Sequence, residues 1–244
     1  MKIGAAQTKP IKGDFQKNIE SHLRLIDLAL EKHAELIVFP ELSTTGYEPT
    51  LALKLATTAE DKQFDVFQEL CDRFNCVIAV GSPLTNQNRV SIGMIIFQPN
   101  QNRITYLKRH LFHTEKEYFI SGNSPTNLLY NNTNIGLAIC YEISVPEHQQ
   151  VVSENGAEIY MASVVESFDG IDNAINKMSL TSAKYSMVSI MANCVGLTGK
   201  YDCAGKSSVW NKEGKLVGQL NSYEEGIIVY DTNSQKTDIN YIMP

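Results

Sequence analysis

Short, unbroken apolar runs separated by helical segments are the feature that most restricts the fold of this chain. The runs read ELIVF at residues 35–39, CVIAVG at 76–81, IGLAI at 135–139 and EIYMA at 158–162. Runs of this length without alternation are typical of strands buried on both faces. Helices are expected from Asp14 to about His33, over 60–75, after Pro146 and over 172–189. This succession predicts an α/β fold.

Other segments complete the predicted sheets. Residues 89–97 and 103–107 alternate enough to form an antiparallel pair around a Pro-Asn-Gln-Asn turn. Further strands are expected at 2–8, 190–194, 204–210, 215–220 and 226–231, and the last dozen residues are polar and expected to be peripheral. No linker rich in proline, glycine or serine interrupts the chain, so residues 1–244 are predicted to form a single domain.

Composition excludes several classes of function. The net charge of −6 argues against a nucleic-acid or anionic-membrane surface, which requires a basic patch. No run approaches 18 apolar residues, the opening residues lack the pattern of a signal peptide, and the five cysteines form no CxxC, so we expect a cytoplasmic protein with free thiols. His110, His113 and Glu117 lack a further ligand at convincing spacing, so no metal is predicted, and no dinucleotide or P-loop motif predicts a cofactor.

Three reactive side chains follow apolar runs directly. Glu41 comes after the run at 35–39, Lys108 after 104–107, and Cys140 after 135–139. Taken one at a time, each has an ordinary alternative: a solvated loop carboxylate, a surface lysine, or a buried thiol that packs as a small hydrophobe. Ligands bind outside the carboxyl ends of strands in α/β sheets, so the three together indicate a catalytic site.

The three groups suffice for hydrolysis of an amide through a thioester. A free thiol is mostly protonated at neutral pH, so a base must remove its proton, and Glu41 in a partly desolvated pocket is suited to that role. Attack on the carbonyl creates an oxyanion that the Lys108 ammonium and a backbone N–H after the cysteine can stabilise.

The motifs around these residues resemble those of the nitrilase, or carbon–nitrogen hydrolase, superfamily, in its amidase-like branch. They are FPELSTTGY at 39–47, YLKRHLF at 106–112 and GLAICYE at 136–142, and AAQT, GAEIYMAS, AKYSMVSIMANCVG and GKSSVWNKEGKLVG follow the family's order across nearly the whole chain. The resemblance implies a four-layer α-β-β-α sandwich and a homodimer or higher homo-oligomer.

The resemblance also implies roles for individual residues. Glu41 becomes the general base, Lys108 the oxyanion stabiliser and Cys140 the nucleophile, with the N–H of Tyr141 as a second oxyanion donor. A second glutamate is expected before a phenylalanine and a glycine; EKEYFISG at 115–122 offers Glu115, with Glu117 as the rival candidate.

Departures from the family pattern bear on the substrate. Ser144 stands where many amidases of the family have arginine, and Tyr141-Glu142 follows the cysteine where nitrile-cleaving members tend to have Trp-Glu. We therefore expect a hydrolase acting on a small linear amide, either an ω-amide or an N-carbamoyl compound, that releases ammonia or an amine. The alternative is a catalytically silent relative that binds a metabolite or a protein.

The expected walls of the substrate pocket follow from position. Tyr47, Tyr141, Ser163 and Val165 are predicted to contact the substrate, with the loop around 113–118 nearby. No cofactor is expected.

Overall fold

The computed structural model describes residues 1–242, so the last two residues of the predicted domain 1–244 lie outside the described residues. The strands are β1 (Lys2–Gln7), β2 (Leu36–Val38), β3 (Val77–Asn86), β4 (Arg89–Phe97), β5 (Ile104–Leu107), β6 (Asn127–Tyr130), β7 (Thr133–Ile139), β8 (Ile159–Ser163), β9 (Val188–Ala192), β10 (Val195–Thr198), β11 (Tyr201–Ala204), β12 (Ser208–Trp210), β13 (Leu216–Gln219), β14 (Gly226–Asp231) and β15 (Lys236–Tyr241). The helices are α1 (Phe15–Glu31), α2 (Ala52–Leu55), α3 (Asp65–Phe74), α4 (Pro146–Glu154) and α5 (Ile171–Tyr185).

Two large sheets form the centre of the molecule. One has seven strands in the order β15-β14-β1-β2-β3-β4-β5, and the other has six in the order β13-β12-β9-β8-β7-β6. β10 and β11 form a separate two-stranded sheet. The buried runs predicted from the sequence pair in parallel where a helix connects them, as β1 with β2, β2 with β3, β7 with β8, and β8 with β9.

Alternate residues of the central strands face different layers, as the two-residue period of a strand requires. In β2, Leu36 and Val38 face the core between the sheets while Ile37 packs under α1 and α3. In β8, Met161 faces the same central core and Tyr160 packs under α4 and α5. The three cores therefore separate four layers in the predicted α-β-β-α order.

Most element predictions hold, and the exceptions have physical causes. Asp14 caps α1, and β4 and β5 pair antiparallel as expected. The helix predicted over 172–189 is too long: it ends at Tyr185 because Ser186 adopts a left-handed conformation, and residues 188–192 join the sheet as β9. The strand predicted at 204–210 is two strands, β11 and β12.

The chain's end is not merely peripheral. β15 pairs antiparallel with β14 along its length and forms one edge of the seven-stranded sheet. Among the helices of residues 1–242, none combines the length and the apolar character needed to cross a bilayer.

Candidate active site

The three strand-end side chains converge on one site. Glu41 follows β2, Lys108 follows β5 and Cys140 follows β7, so the first two come from the seven-stranded sheet and the third from the facing sheet. Close backbone contact holds the loop of Glu41: a Cβ on Gly81 would lie 2.3 Å from the carbonyl oxygen of Pro40. Only glycine allows β3 to approach this loop so closely.

Lys108 sits between two carboxylates. Its Nζ donates to Glu41 Oε1 at 2.7 Å and to Glu115 Oε1 at 2.8 Å, and all three side chains are at most 2% exposed. Glu115 is fixed by further donors, the Tyr47 hydroxyl at 2.8 Å and the Phe112 N–H at 2.8 Å. We call Glu41, Lys108 and Glu115 the charged cluster; when both carboxylates are ionised, it carries one net negative charge.

The structure distinguishes the two candidates for the second glutamate. The short 3-10 turn His113–Glu115 directs Glu115 inward to Lys108, whereas Glu117 is exposed. The sequence interval already matched Glu115 best, and Glu115 is the glutamate that contacts Lys108.

Burial shifts the pKa values of the cluster in directions that suit proton transfer. Desolvation raises the pKa of Glu41 to about 7; the Lys108 charge opposes this rise and the Glu115 charge adds to it. Burial alone would lower the pKa of Lys108, but the charges of Glu41, Cys140 and Glu115 outweigh it and raise that pKa. Burial and the Glu41 charge raise the pKa of the Cys140 thiol well above its ordinary value, although Lys108 partly opposes them. The resting thiol is therefore protonated and needs a base.

One oxygen of Glu41 has no partner. Oε1 accepts from Lys108, while Oε2 is buried and makes no hydrogen bond within residues 1–242. A desolvated carboxylate oxygen without a donor is unfavourable unless a ligand or a proton reaches it. Because Cys140 and Glu41 each shift the other's pKa, the thiol is a candidate to give this oxygen a proton.

Cys140 occupies a strained turn. Its φ is +47°, in the left-handed region that non-glycine residues rarely adopt, immediately after the extended residue Ile139. A 3-10 turn over Cys140–Ser144 follows, and the thiol points to the Val165 carbonyl at 3.8 Å. Strain of this kind persists only where the surroundings hold the turn in place.

Glu142 supplies that hold. Its Oε2 accepts from the Ile139 N–H at 2.7 Å and the Tyr106 hydroxyl at 2.8 Å, and its Oε1 accepts from the backbone N–H groups of Arg109 at 2.7 Å and His110 at 3.2 Å. One buried carboxylate thus ties the residues after Lys108 to the turn that carries Cys140.

A second layer supports this carboxylate. His148 Nε2 lies 2.9 Å from the Tyr106 hydroxyl, and burial lowers the pKa of His148. We call Glu142, Tyr106 and His148 the supporting cluster. From the sequence, Glu142 was used only to favour an amide over a nitrile; its place after a buried strand and a cysteine was the available signal for its structural role.

A cavity of about 320 Å³ opens at Cys140. Of the predicted site residues, Tyr47, Glu115, Tyr141 and Val165 line it with Cys140. The remaining lining residues are Phe112, Ser144, Glu166, Ser167, Gly170, Asn173, Lys177 and Tyr201. Asn173, Lys177 and Tyr201 were missed because they come from α5 and β11, far along the chain and without a local motif.

Ser163 does not line this cavity, in contrast to its predicted contact with substrate. Its side chain is fully buried, and its hydroxyl donates to the Phe39 carbonyl at 2.8 Å. Ser163 lies two residues after Met161, on the face of β8 that is directed between the sheets. The hydroxyl therefore joins the two sheets beside the site.

Within residues 1–242, no group of three or more His, Cys, Asp or Glu side chains is arranged to hold a metal ion. His110 packs edge-on against His148 with ring centroids 5.8 Å apart.

Comparisons by family model, by sequence and by structure all find carbon–nitrogen hydrolases, nitrilases or amidases. A family model described as carbon–nitrogen hydrolase matches residues 2–238. A probable nitrilase of Schizosaccharomyces pombe is 25% identical over 236 residues, covering 93% of this chain and 87% of the relative. An (R)-stereoselective amidase of Pseudomonas sp. is 27% identical over 166 residues, covering 67% and 60%. The NitN amidase of Nesterenkonia sp. AN1 shares the fold, with a TM-score of 0.86 at 22% identity over 95% of this chain and 92% of that one.

Proposed function

The chain belongs to the carbon–nitrogen hydrolase family, and we propose that it hydrolyses the C–N bond of a small linear amide, an ω-amide or an N-carbamoyl compound, through a thioester on Cys140. The observation that carries this proposal is the buried, partnerless Oε2 of Glu41 beside a protonated thiol that opens to a cavity.

In the first half-reaction Glu41 takes the thiol proton as Sγ attacks the amide carbon. The carbonyl oxygen becomes an oxyanion, stabilised by the Lys108 ammonium and, in our proposal, the Tyr141 N–H. Each such donor contributes about 3–4 kcal/mol to lowering the barrier. Collapse of the tetrahedral intermediate breaks the C–N bond, and Glu41 returns the proton to the departing nitrogen, releasing ammonia or an amine.

The second half-reaction restores the enzyme. Glu41 takes a proton from a water molecule while the oxygen of that water attacks the thioester carbon. The C–S bond then breaks, the thiolate recovers the proton from Glu41, and the carboxylic acid product leaves. Glu115 keeps Lys108 oriented throughout, because Glu115 is itself held by Tyr47 and the Phe112 N–H.

The cavity suits a small substrate. Its volume of about 320 Å³ is at the lower end of the range for ligand sites. Two solved structures of the Nesterenkonia amidase support an amide: one holds butyramide, and another carries the acetamide moiety of fluoroacetamide on the active-site cysteine. The alternative of a silent binding module is not favoured, because ligand binding alone gives no reason to desolvate Glu41, Lys108 and Glu115 together.

Cys140→Ala tests the proposal. We expect this variant to lose ammonia release from butyramide and from an N-carbamoyl amine, with its fold and thermal midpoint nearly unchanged. Mass spectrometry of the wild-type protein mixed rapidly with substrate should show an acyl group on Cys140. Cys71→Ala, on the inner face of α3 against the seven-stranded sheet, is the matched control and should keep turnover. Full activity in Cys140→Ala would refute the mechanism.

The homodimer, the cytoplasmic setting and the single domain over residues 1–244 stay predictions. Size-exclusion chromatography with light scattering is the direct measurement of the first.

A further inference from the structure

Lys177 places a second cation in the catalytic cavity. It projects from α5, is half-buried, and lines the cavity together with Cys140. Its Nζ donates to the Ser144 hydroxyl at 2.7 Å. Among the residues that the structure describes, no carboxylate oxygen lies within 4.0 Å of this ammonium. The hydrogen-bond partner of the Lys177 ammonium is therefore a neutral hydroxyl.

This situation differs from that of the other lysines near the site. Lys108 is matched by two carboxylates, and Lys206 pairs with Asp172 at the start of α5. An ammonium has three donor hydrogens, and Ser144 takes one of those on Lys177. Because the cavity is partly shielded from solvent, a negative charge placed there is attracted more strongly than it is at an open surface.

Glu166 lines the same cavity but has a different setting. An oxygen of its carboxylate would lie 2.3 Å from a Cβ on Gly170, so it packs against the first turn of α5. A negative charge is stabilised at a helix N-terminus. Burial raises the pKa of Glu166, and the charge of Lys177 opposes that rise. Lys177 therefore acts on Glu166 only from beyond 4.0 Å, and its ammonium keeps donor hydrogens that a ligand in the cavity can use.

The separation between Lys177 and the nucleophile indicates where a ligand's charge would lie. Cys140 and Ser144 begin and end one 3-10 turn. At roughly 2 Å of rise per residue, their backbones are about 8 Å apart along the turn. An amide carbon at the Cys140 sulfur therefore leaves room for a spacer of a few carbons before the ammonium.

We propose that the substrate is an amide whose far end carries a carboxylate, and that Lys177 binds this carboxylate. This inference rests on the proposed function, because it names the substrate class of the same cavity. It makes Lys177 a specificity-determining residue with no part in bond cleavage.

A matched set of amides tests the proposal by turnover. The probes are glutaramate, which ends in a carboxylate; 5-oxohexanamide, in which a neutral acetyl group replaces it; and 5-aminopentanamide, which ends in a cation. The wild-type protein should prefer glutaramate by kcat/KM. Lys177→Met should reduce the ratio of glutaramate to 5-oxohexanamide roughly 10- to 100-fold, as expected for loss of a charged hydrogen bond. Lys177→Arg should restore part of the ratio.

Lys184→Met is the control. Lys184 lies on the same helix but is exposed, so its removal should leave the ratio as in the wild-type protein. An equal loss on all three amides in Lys177→Met would show that Lys177 only tethers α5 to the turn after Cys140, and would overturn the proposal. A wild-type preference for 5-aminopentanamide would also overturn it and would point to Glu166.

A binding measurement separates this proposal from the proposed function. Calorimetry of glutaramate with the Cys140→Ala protein requires no turnover. We expect binding that weakens roughly 10- to 100-fold when Lys177→Met is added. Absent binding, or binding unaffected by Lys177→Met, contradicts the role of Lys177 whether or not any amide is hydrolysed. Failure of wild-type turnover with binding intact contradicts the reaction alone.

Discussion

Two buried polar clusters flank the turn that carries Cys140, and they differ in how completely their hydrogen bonds are made. In the supporting cluster, the two oxygens of Glu142 accept four hydrogen bonds. In the charged cluster, Glu41 uses one oxygen for Lys108, and the other is buried without a partner in the described part of the chain. Both carboxylates are at most 1% exposed, so burial alone does not distinguish them.

The difference indicates that one cluster positions the residues of the site and the other is suited to proton transfer. A carboxylate with every acceptor site used holds its neighbours in one arrangement and has no room for a proton. A carboxylate with an unused, desolvated oxygen has a raised affinity for a proton, which is what a general base needs. Glu142 therefore fixes where Cys140 and the loop after Lys108 lie, and Glu41 is the group that carries the proton in the proposed reaction.

Glu41→Gln should show the largest effect. Loss of a general base typically lowers the rate about 10²- to 10⁴-fold. The amide oxygen can still accept from Lys108, so at about pH 4.5, where Glu41 is protonated, the free energy of unfolding should change little. Steady-state kinetics and urea unfolding measure the two quantities. Glu117→Gln, on the exposed side of the nearby loop, is the control and should match the wild-type protein. A fully active Glu41→Gln protein would remove Glu41 from the reaction.

Glu142→Gln, in contrast, should lower stability as well as the rate. The amide nitrogen cannot accept, so the donors that faced one oxygen lose their partner, at a cost of about 1–3 kcal/mol for each buried donor. We expect a lower urea midpoint together with a reduced kcat, because Cys140 and Lys108 lose their common anchor. If unfolding stays at the wild-type value, Glu142 is not the anchor that its contacts indicate.

The pH dependence of stability and of kcat/KM should come from the charged cluster, through Glu41. Because the pKa of Glu41 is raised from 4.5 to about 7, the folded protein binds this proton more tightly than the unfolded chain does. The corresponding stability is present below about pH 4.5 and is lost as pH rises to about 7, whereas kcat/KM should rise over the same interval as the base ionises. Glu41→Gln should flatten both profiles, measured by urea unfolding and by initial rates across pH. Persistence of the stability change in that variant would assign the proton to another group.

The sequence located the candidate reacting groups because strand ends are local signals, and the resemblance of the surrounding motifs assigned their expected roles. Glu41, Lys108 and Cys140 each follow an apolar run, and the termination of such a run is visible without any knowledge of tertiary structure. The spacing favoured Glu115 over Glu117, and the 3-10 turn that directs Glu115 inward gives the physical reason. The end of α5 was misplaced because Ser186 stops the helix without a glycine or proline to mark it.

The far wall of the cavity could not be predicted in the same way. Lys177 and Tyr201 reach the cavity from α5 and β11, and their proximity to Cys140 depends on how the second sheet and its helices pack. Glu142 was visible in the motif, but its role depends on two backbone N–H groups from a loop more than thirty residues away. Such roles come from tertiary contacts that no local pattern records.

The smallest effect concerns the boundary between the cavity and the buried interior. Val165 lines the cavity, whereas Ser163, two residues earlier, is bonded to Phe39 between the sheets. Val165→Phe adds volume in the cavity and should shift the preference among straight-chain amides toward shorter chains; a change of one methylene in an apolar pocket typically alters kcat/KM about 10-fold or more. Ser163→Ala should leave that preference unchanged and instead lower stability by about 1 kcal/mol through the lost hydrogen bond. Rates on the series from acetamide to hexanamide measure the chain-length preference, and urea unfolding curves of both variants measure their stability. A shift in chain-length preference in Ser163→Ala but not in Val165→Phe would place the substrate wall between the sheets and reverse the assignment of these two residues.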